Sequence, residues 1–535
     1  MRPALLRSIV IGIFLGTCAC LLIRPFWSHD TWWHIQCGKL ILGEWTWPSP
    51  DRFTCTVNGQ PWLVHSWIGQ CVFYLADLAM GDAGLQLLDT VTRLGFVCLV
   101  WFACRKAAIS SAIRLLILAN AAFFCATLEF RPHLVVPVFL AVMVLSECLR
   151  TPGRPVPLWT IPLMTLWSNT HPSILLGEFY LAMCLVQRWV AHGKPQWNRD
   201  TLVLFAAMLA GFLNPYHFRL IPFSLFENRA YQYVTINEWL SPLTQLPQSW
   251  SSVLILLASA AVFILLLLRN LPCARHSEER SDVGISTLER TGLRSPHPGP
   301  SQTQGPGFAM TESRLHFLSQ ITGSTGVALR KTYSRSSNFS HLIYLLCLCV
   351  FVVISFSAFR FMFLSTIAIL PLLSVLPSSR VPLPPGEGWV EGKRFSSLLL
   401  IGYLLLLILN KPVYSRDWFD LKNATAFLNE IHAEGNIFND FSFGGRIIYD
   451  CYPRLKVFAD GRIGPFEKKI FPLYEEVFRG TRDRAMEILD RYRIDWILIQ
   501  EVRTPQWMKS EKRLHELYRR SGIVIFRLGR NGTET

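Results

Sequence analysis

The sequence predicts an α-helical polytopic membrane protein that ends in a small extracytoplasmic α/β domain. Three observations carry this. Hydrophobic residues make up 51% of the 535 and charged residues only 17%, where a soluble domain carries about 25% charged residues. Mean hydropathy is +0.30. Apolar runs of near-spanning length make up most of residues 1–410, and from Lys411 the composition turns globular.

The first run, Leu5–Phe26, follows Arg2 and Arg7. It is long enough to span and no small-residue cleavage site follows it, so it reads as a retained signal anchor. A span needs roughly 20 apolar residues, and about eleven segments approach that length. They are Leu5–Phe26, Leu85–Cys104, Ile113–Phe130, Leu134–Leu149, Leu158–Asn169, Ile174–Val190, Leu202–Pro215, Val253–Leu268, Leu342–Phe359, Phe361–Leu376 and Ser396–Leu409.

Leu63–Met80 decides the topology. If it spanned, Arg105, Lys106, Arg114, Arg150 and Arg154 would face outward. If it lies on the surface, these groups face the cytoplasm with Arg188, Lys194, Arg199, Arg380, Lys393 and Arg394. The positive-inside bias selects a surface helix. The polar residues His65, Ser66, Gln70 and Asp77 would also be costly against lipid. The N-terminus is then cytoplasmic, and residues 27–84, the loop 215–251 and the C-terminal segment 411–535 are extracytoplasmic. Residues 270–340 form a cytoplasmic insert; Arg275–Arg335 is rich in Ser, Gly, Arg and Pro without periodicity, the signature of a disordered loop.

In the C-terminal segment, Ala424–Ala433, Arg482–Tyr492 and Ser510–Arg519 read as helices. Lys456–Ala459, Trp496–Gln500 and Ile523–Arg527 read as strands, with Asp460-Gly461-Arg462 as a turn. A unit of about 110 residues can hold its own core.

The net charge is +15. Its basic residues gather beside apolar runs, which orients a membrane protein and gives no reason to invoke nucleic acid. The 18 Trp fit membrane interfaces, and the 14 Cys are scattered without ligand spacing and read mostly as apolar fillers. No phosphate loop, GxSxG, HExxH or metal-finger pattern occurs, so soluble nucleotide chemistry has no support.

Chemistry gathers at the outer face. Ser28-His29-Asp30-Thr31-Trp32-Trp33-His34 sits where the first span leaves the membrane. A partly desolvated carboxylate there can act as a base or bind a metal or cation; equally, Asp30 can be a solvated end-of-helix acid beside an aromatic belt. Glu129-Phe130-Arg131-Pro132-His133, Ser168-Asn169-Thr170-His171-Pro172, Asn214-Pro215-Tyr216-His217 and Phe359-Arg360 each fall at an expected outer helix end. Singly these are helix terminators, and Glu129 with Arg131 can be a structural ion pair. Together they outline a polar chamber open to the outside. In the C-terminal segment Asn439-Asp440, Gly444-Gly445-Arg446, Asp450 and Asp460-Gly461-Arg462 form a further polar cluster. The glycine pair permits close backbone approach, and Asp-Gly is also an ordinary turn signal.

This architecture resembles the GT-C superfamily of polyprenol-dependent glycosyltransferases, which carry an acidic residue just after span one, followed by two interfacial helices. Asp30 matches the acid; Thr31–Gly43 and Leu63–Met80 match the helices. More closely, the chain resembles a largely uncharacterised group of bacterial membrane proteins. The shared motifs are Asp30-Thr-Trp-Trp-His34, Pro48-Ser-Pro-Asp-Arg-Phe53 and Trp62-Leu-Val-His-Ser-Trp67, with Ser66 where the group often has Glu. Arg131-Pro-His133, Asn214-Pro-Tyr216, Glu238-Trp-Leu-Ser-Pro242 and Gly444-Gly445 followed by Phe458-Ala-Asp-Gly-Arg462 extend the likeness.

The resemblance implies an enzyme of the bacterial inner membrane that moves a sugar from a polyprenyl-phosphate donor to an extracytoplasmic glycan, lipid or protein acceptor. Asp30 would be the base, or would orient the acceptor directly or through a divalent metal. Trp33, His34, His65, Glu129, Arg131, His133, His171, Arg360, Asp460 and Arg462 would line the substrate. Arg131, His133 or Arg360 would stabilise the leaving phosphate. The resemblance equally admits a catalytically inactive scaffold of the same fold in envelope glycan assembly. A transporter of lipid-linked sugars would place polar residues at mid-membrane, whereas here they gather at one face.

Overall fold

The computed structural model describes residues 16, 28–106, 111–150, 154–224, 250–270, 349–355, 363–375, 417–462 and 470–529. Leu5–Phe26 apart from Gly16, the insert Arg275–Arg335, Glu238–Pro242, Ser396–Leu409 and Arg360 lie outside them.

Helices build the first part of the chain: α1 (Thr31–Leu42), α2 (Trp67–Met80), α3 (Asp82–Lys106), α4 (Ser111–Thr127), α5 (Val136–Cys148), α6 (Thr160–Thr170), α7 (Ile174–Ala191), α8 (Arg199–Ala210), α9 (Trp250–Asn270) and α10 (Phe363–Val375). Two of the described helices, in α3 and α7, are long and apolar enough to cross a membrane; the expected count of about eleven spans goes beyond this.

α1 is buried on nearly every side, including its polar residues Thr31, His34 and Gln36. It packs on α2 through Gly38, where a Cβ would overlap the Gln70 carbonyl. α2 buries Gly69, Gln70 and Phe73 and turns Val72, Leu75, Leu78 and Met80 outward. Gly81, at φ +57, makes the corner into α3. α3 exposes Leu87, Val91, Leu94, Trp101 and Phe102. On its inner side Asp89 and Arg93 form a fully buried ion pair of 2.7 Å. Arg93 also donates to the Leu128 carbonyl (2.9 Å) and to the Cys125 carbonyl. These carbonyls end α4, where a helix leaves acceptors unsatisfied.

The C-terminal part holds α11 (Asp417–Glu430), β1 (Gly435–Asn439), α12 (Gly444–Cys451), β2 (Leu455–Val457), α13 (Ile470–Arg479), α14 (Arg482–Arg491), β3 (Ile494–Gln500), α15 (Gln506–Ser510), β4 (Leu514–Arg520) and β5 (Ile523–Leu528). The sheet order is β2-β1-β3-β5-β4; β2 and β3 lie parallel to β1, and β5 and β4 are antiparallel. Strand alternation feeds two cores. Phe438, Ile497 and Ile499 meet α13 and α14, while Ile437, Trp496 and Leu498 meet α11 and α12. The sheet is therefore covered on both faces, and its strand direction reverses between β3 and β5.

Ser510–Arg519, expected as a helix, is mostly strand β4. Its Leu, Glu and Arg content suits a helix. Ser521-Gly522, both at positive φ, instead close a hairpin turn, and pairing with β5 overrides the propensity. The charged, exposed side chains of β4 suit an edge strand. The opposite edge, β2, is covered by the first loop. Cys55 N–H donates to the Val457 carbonyl and Val457 N–H to that of Phe53, each at 3.0 Å. Trp33, Cys37, Leu40 and Phe53 share a core with Leu421, Ile447 and Leu498.

Candidate active site at Asp30

Asp30 occupies the N-cap position of α1 but makes no side-chain cap bond. An N-cap Asp ordinarily accepts from its own helix. Here the carboxylate turns away: Oδ2 lies 3.0 Å from Arg131 Nη1. Arg131 Nη2 reaches Glu129 Oε2 at 2.5 Å, and its Nε donates to Ser28 Oγ at 3.1 Å. The Ser28 hydroxyl donates to Glu129 Oε2 at 2.8 Å and accepts from Asp30 N–H at 3.2 Å. Asp30 is 8% exposed.

The backbone that presents Arg131 is pinned at several points. Arg93 holds the end of α4, and the Thr31 hydroxyl donates to the Phe130 carbonyl at 2.5 Å. The Phe130 ring stacks on Phe73 at 4.5 Å.

The C-terminal domain closes the other side. A Cβ on Gly461 would overlap Asp30 Oδ1, and one on Gly445 would overlap the His29 carbonyl. Glycine at these positions lets the domain's backbone touch the first loop. Arg462 is buried with Asp51 Oδ1 at 2.7 Å and Asp460 Oδ2 at 2.6 Å, and lies over the Phe53 and Trp62 rings at 4.8 and 4.7 Å. Burial opposes the guanidinium charge, but Asp460 and Asp51 outweigh it and keep it protonated. Arg446 lies 4.1 Å over Trp32 and pairs with Asp450, and the Tyr449 hydroxyl donates to Asp77 Oδ2 at 3.0 Å. The first-loop motifs and the glycine-rich segment therefore form one interface, and Asp460 and Arg462 lie inside it.

Four histidines extend the site. The rings of His133 and His171 are 5.8 Å apart and those of His65 and His171 6.5 Å apart. His34 stacks against Trp33 at 3.6 Å, with Gln70 Nε2 3.4 Å from its Nδ1. Burial, then the neighbouring His65, Arg131 and His171, depress the His34 pKa well below the ordinary value. Burial takes His65 down to about 4, against an opposing bond to the Leu63 carbonyl. His171 Nδ1 accepts from Ser173 N–H at 3.1 Å, which leaves the proton of the neutral ring on Nε2.

A divalent cation would need several oxygen or nitrogen ligands directed at one point. Asp30 and Glu129 are the carboxylates that converge here, and each already faces an Arg131 nitrogen. Among the described residues no three His, Cys, Asp or Glu side chains form a metal-holding group. The described residues do not fit a resident metal.

Asp30, Glu129 and Arg131 come together, with Trp33 and His34 on the same helix and His65, His133 and His171 alongside. Arg360 lies outside the described residues. Ser28 and Asp51 stood in the quoted motifs without a role of their own, and Asp89 and Arg93 were not singled out from sequence. For Asp89 and Arg93 the signal was opposite charges four residues apart within an apolar run, which face each other on a helix.

The fold is similar to that of a solved structure, and two of the described helices are long and apolar enough to cross a membrane. One similar solved structure is the archaeal oligosaccharyltransferase AglB from Archaeoglobus fulgidus in complex with an inhibitory peptide and a dolichol-phosphate. The TM-score is 0.50 at 13% identity, over 92% of this chain and 69% of that one. No family model and no curated protein matches the chain.

Proposed function

We infer that the chain is a multi-pass glycosyltransferase of the bacterial inner membrane, with its N-terminus cytoplasmic and its C-terminal domain outside. It transfers a sugar from a polyprenyl-phosphate donor to an extracytoplasmic acceptor. The observation that carries this reading is the diversion of Asp30 from its own helix into a buried contact with Arg131 and Gly461. A helix cap is worth about 1 kcal/mol, so a cap residue aimed elsewhere suggests a task elsewhere. The similarity to a protein solved with a dolichol-phosphate and a peptide supports a lipid-phosphate donor and an outside acceptor.

In the proposed step the acceptor O–H or N–H gives its proton to Asp30 while its heavy atom bonds the anomeric carbon. The bond from that carbon to phosphate oxygen breaks, and polyprenyl phosphate leaves with the electron pair. Arg131 fixes the position of the Asp30 carboxylate. Because Arg131 is already paired with two carboxylates, His133, His171 and Arg360 carry the leaving phosphate.

Radiolabelled polyprenyl-phosphate sugars supplied to the purified chain test this. Label transfer or donor hydrolysis is expected from the native chain and is lost at least about a hundredfold in Asp30→Asn. Transfer that survives the substitution removes the role of Asp30. The cover of Gly461 over Asp30 favours a second reading, an inactive scaffold of the same fold. It predicts that Asp30→Asn leaves envelope glycan assembly intact in cells.

A further inference from the structure

We propose that the Arg131 guanidinium is the resident cation of the Asp30 site: it stands between the Asp30 and Glu129 carboxylates where a divalent metal would bridge them, so the chain works without a bound metal. The metal-binding part rests on geometry alone; its consequence for sugar transfer rests on the function proposed above.

The guanidinium uses three edges in three directions: Nη1 toward Asp30, Nη2 toward Glu129 and Nε toward Ser28. A planar fork of donors suits two carboxylates in a way a lysine point charge does not. Arginine stays protonated at any physiological pH, so this cation needs no supply from solution. A divalent ion entering the same gap would meet a positive charge at contact distance and would have to displace the guanidinium from both carboxylates.

The fixture is built from behind. Arg131 itself is extended, at φ −136° and ψ 169°, directly before Pro132. The preceding turn is held by the buried Arg93, which Asp89 in turn orients. Arg93 is thus a positioning residue for the Arg131 fork, and the network runs from the inside of α3 to the Asp30 carboxylate. Trading this fork for a shorter acidic side chain leaves an acidic group beside Asp30 and Glu129, the donor set that hard divalent ions prefer.

The test is Mn2+ binding to the purified full-length chain in detergent, read by electron paramagnetic resonance. The native chain is expected to bind no Mn2+ that Asp30→Asn removes. Arg131→Asp gains about one Mn2+ per chain, and adding Asp30→Asn removes it again. Stoichiometric Mn2+ on the native chain that Asp30→Asn abolishes would overturn the proposal. So would an Arg131→Asp chain that keeps its circular dichroism and melting temperature yet binds none. If Arg131→Asp does not fold, Arg131→Gln decides in the same titration: gain supports the proposal and no gain overturns it. In the transfer assay, a chelator should leave the native rate within about twofold; loss of transfer that Mn2+ restores contradicts the proposal. A chain that transfers no sugar under any condition counts against the glycosyltransferase reading, while the Mn2+ titrations still decide the role of Arg131.

Discussion

Asp30 and Arg131 are 101 positions apart in the chain and 3.0 Å apart in space. The sequence made Asp30 visible through its place beside a span and its tryptophans, and it offered Glu129 and Arg131 as an ion pair because they are two residues apart. That pair forms. The bridge from it to Asp30 was not legible, since nothing local marks a long-range partner. Gly461 was hidden for the same reason: in sequence Asp460-Gly461 is an ordinary turn, and only the packing reveals why a side chain is excluded. Gly461→Ala drives a methyl group into the Asp30 carboxylate. It should cost about 1–3 kcal/mol of stability, as overpacking does, measured by unfolding in detergent. A neutral result would mean that the segment yields easily. The histidines make a pH prediction. His65 has a folded pKa of about 4 against an ordinary value of 6.5. Between those values the unfolded chain binds more protons, so stability falls as the pH drops from about 6.5 to 4. A His65→Asn chain should lose part of that slope in melting experiments; an unchanged slope would show that His65 does not contribute.

At the scale of elements, the informative junction is α12 against α1. Gly444-Gly445 looked like a permissive backbone in sequence and serves as a close-approach surface in the fold. Strand β4 was misread because its side chains favour a helix, while its partner β5 and the Ser521-Gly522 turn lie just beyond it. β1, α12 and α13 were not foreseen. Their short apolar runs carry no long periodicity, and their places follow from pairing with β2 and β3. Arg462 locks this junction from inside, between Asp51 of the first loop and Asp460 after β2. Removing it leaves buried carboxylates without their partner. Arg462→Met should therefore destabilise the chain by about 3–5 kcal/mol, read from denaturant unfolding; a loss below about 1 kcal/mol would mean that water or rearrangement replaces the guanidinium.

For the molecule as a whole, composition pointed to apolar helices followed by a C-terminal α/β region, because apolar runs and a globular segment differ over long windows; the described helices and sheet follow that division. It separated residues 27–84 from 411–535, and the structure packs described parts of both into a shared core. That contact is what puts Gly445 against His29 and Gly461 against Asp30, and a sequence read segment by segment does not contain it. The inferred topology has its own test: alkaline phosphatase fusions at Gly59 and Gly529 should be active and one at Lys106 inactive. High activity at Lys106 would reverse the assignment of the outer face. The central claim, that Asp30 and the C-terminal backbone over it form one transfer site, is tested most directly by single-turnover sugar transfer with the native, Asp30→Asn and Gly461→Ala chains side by side. The account predicts transfer by the native chain, loss in Asp30→Asn and at least a tenfold loss, on the order of 1.4 kcal/mol, in Gly461→Ala; native-rate transfer by a folded Asp30→Asn chain would contradict it.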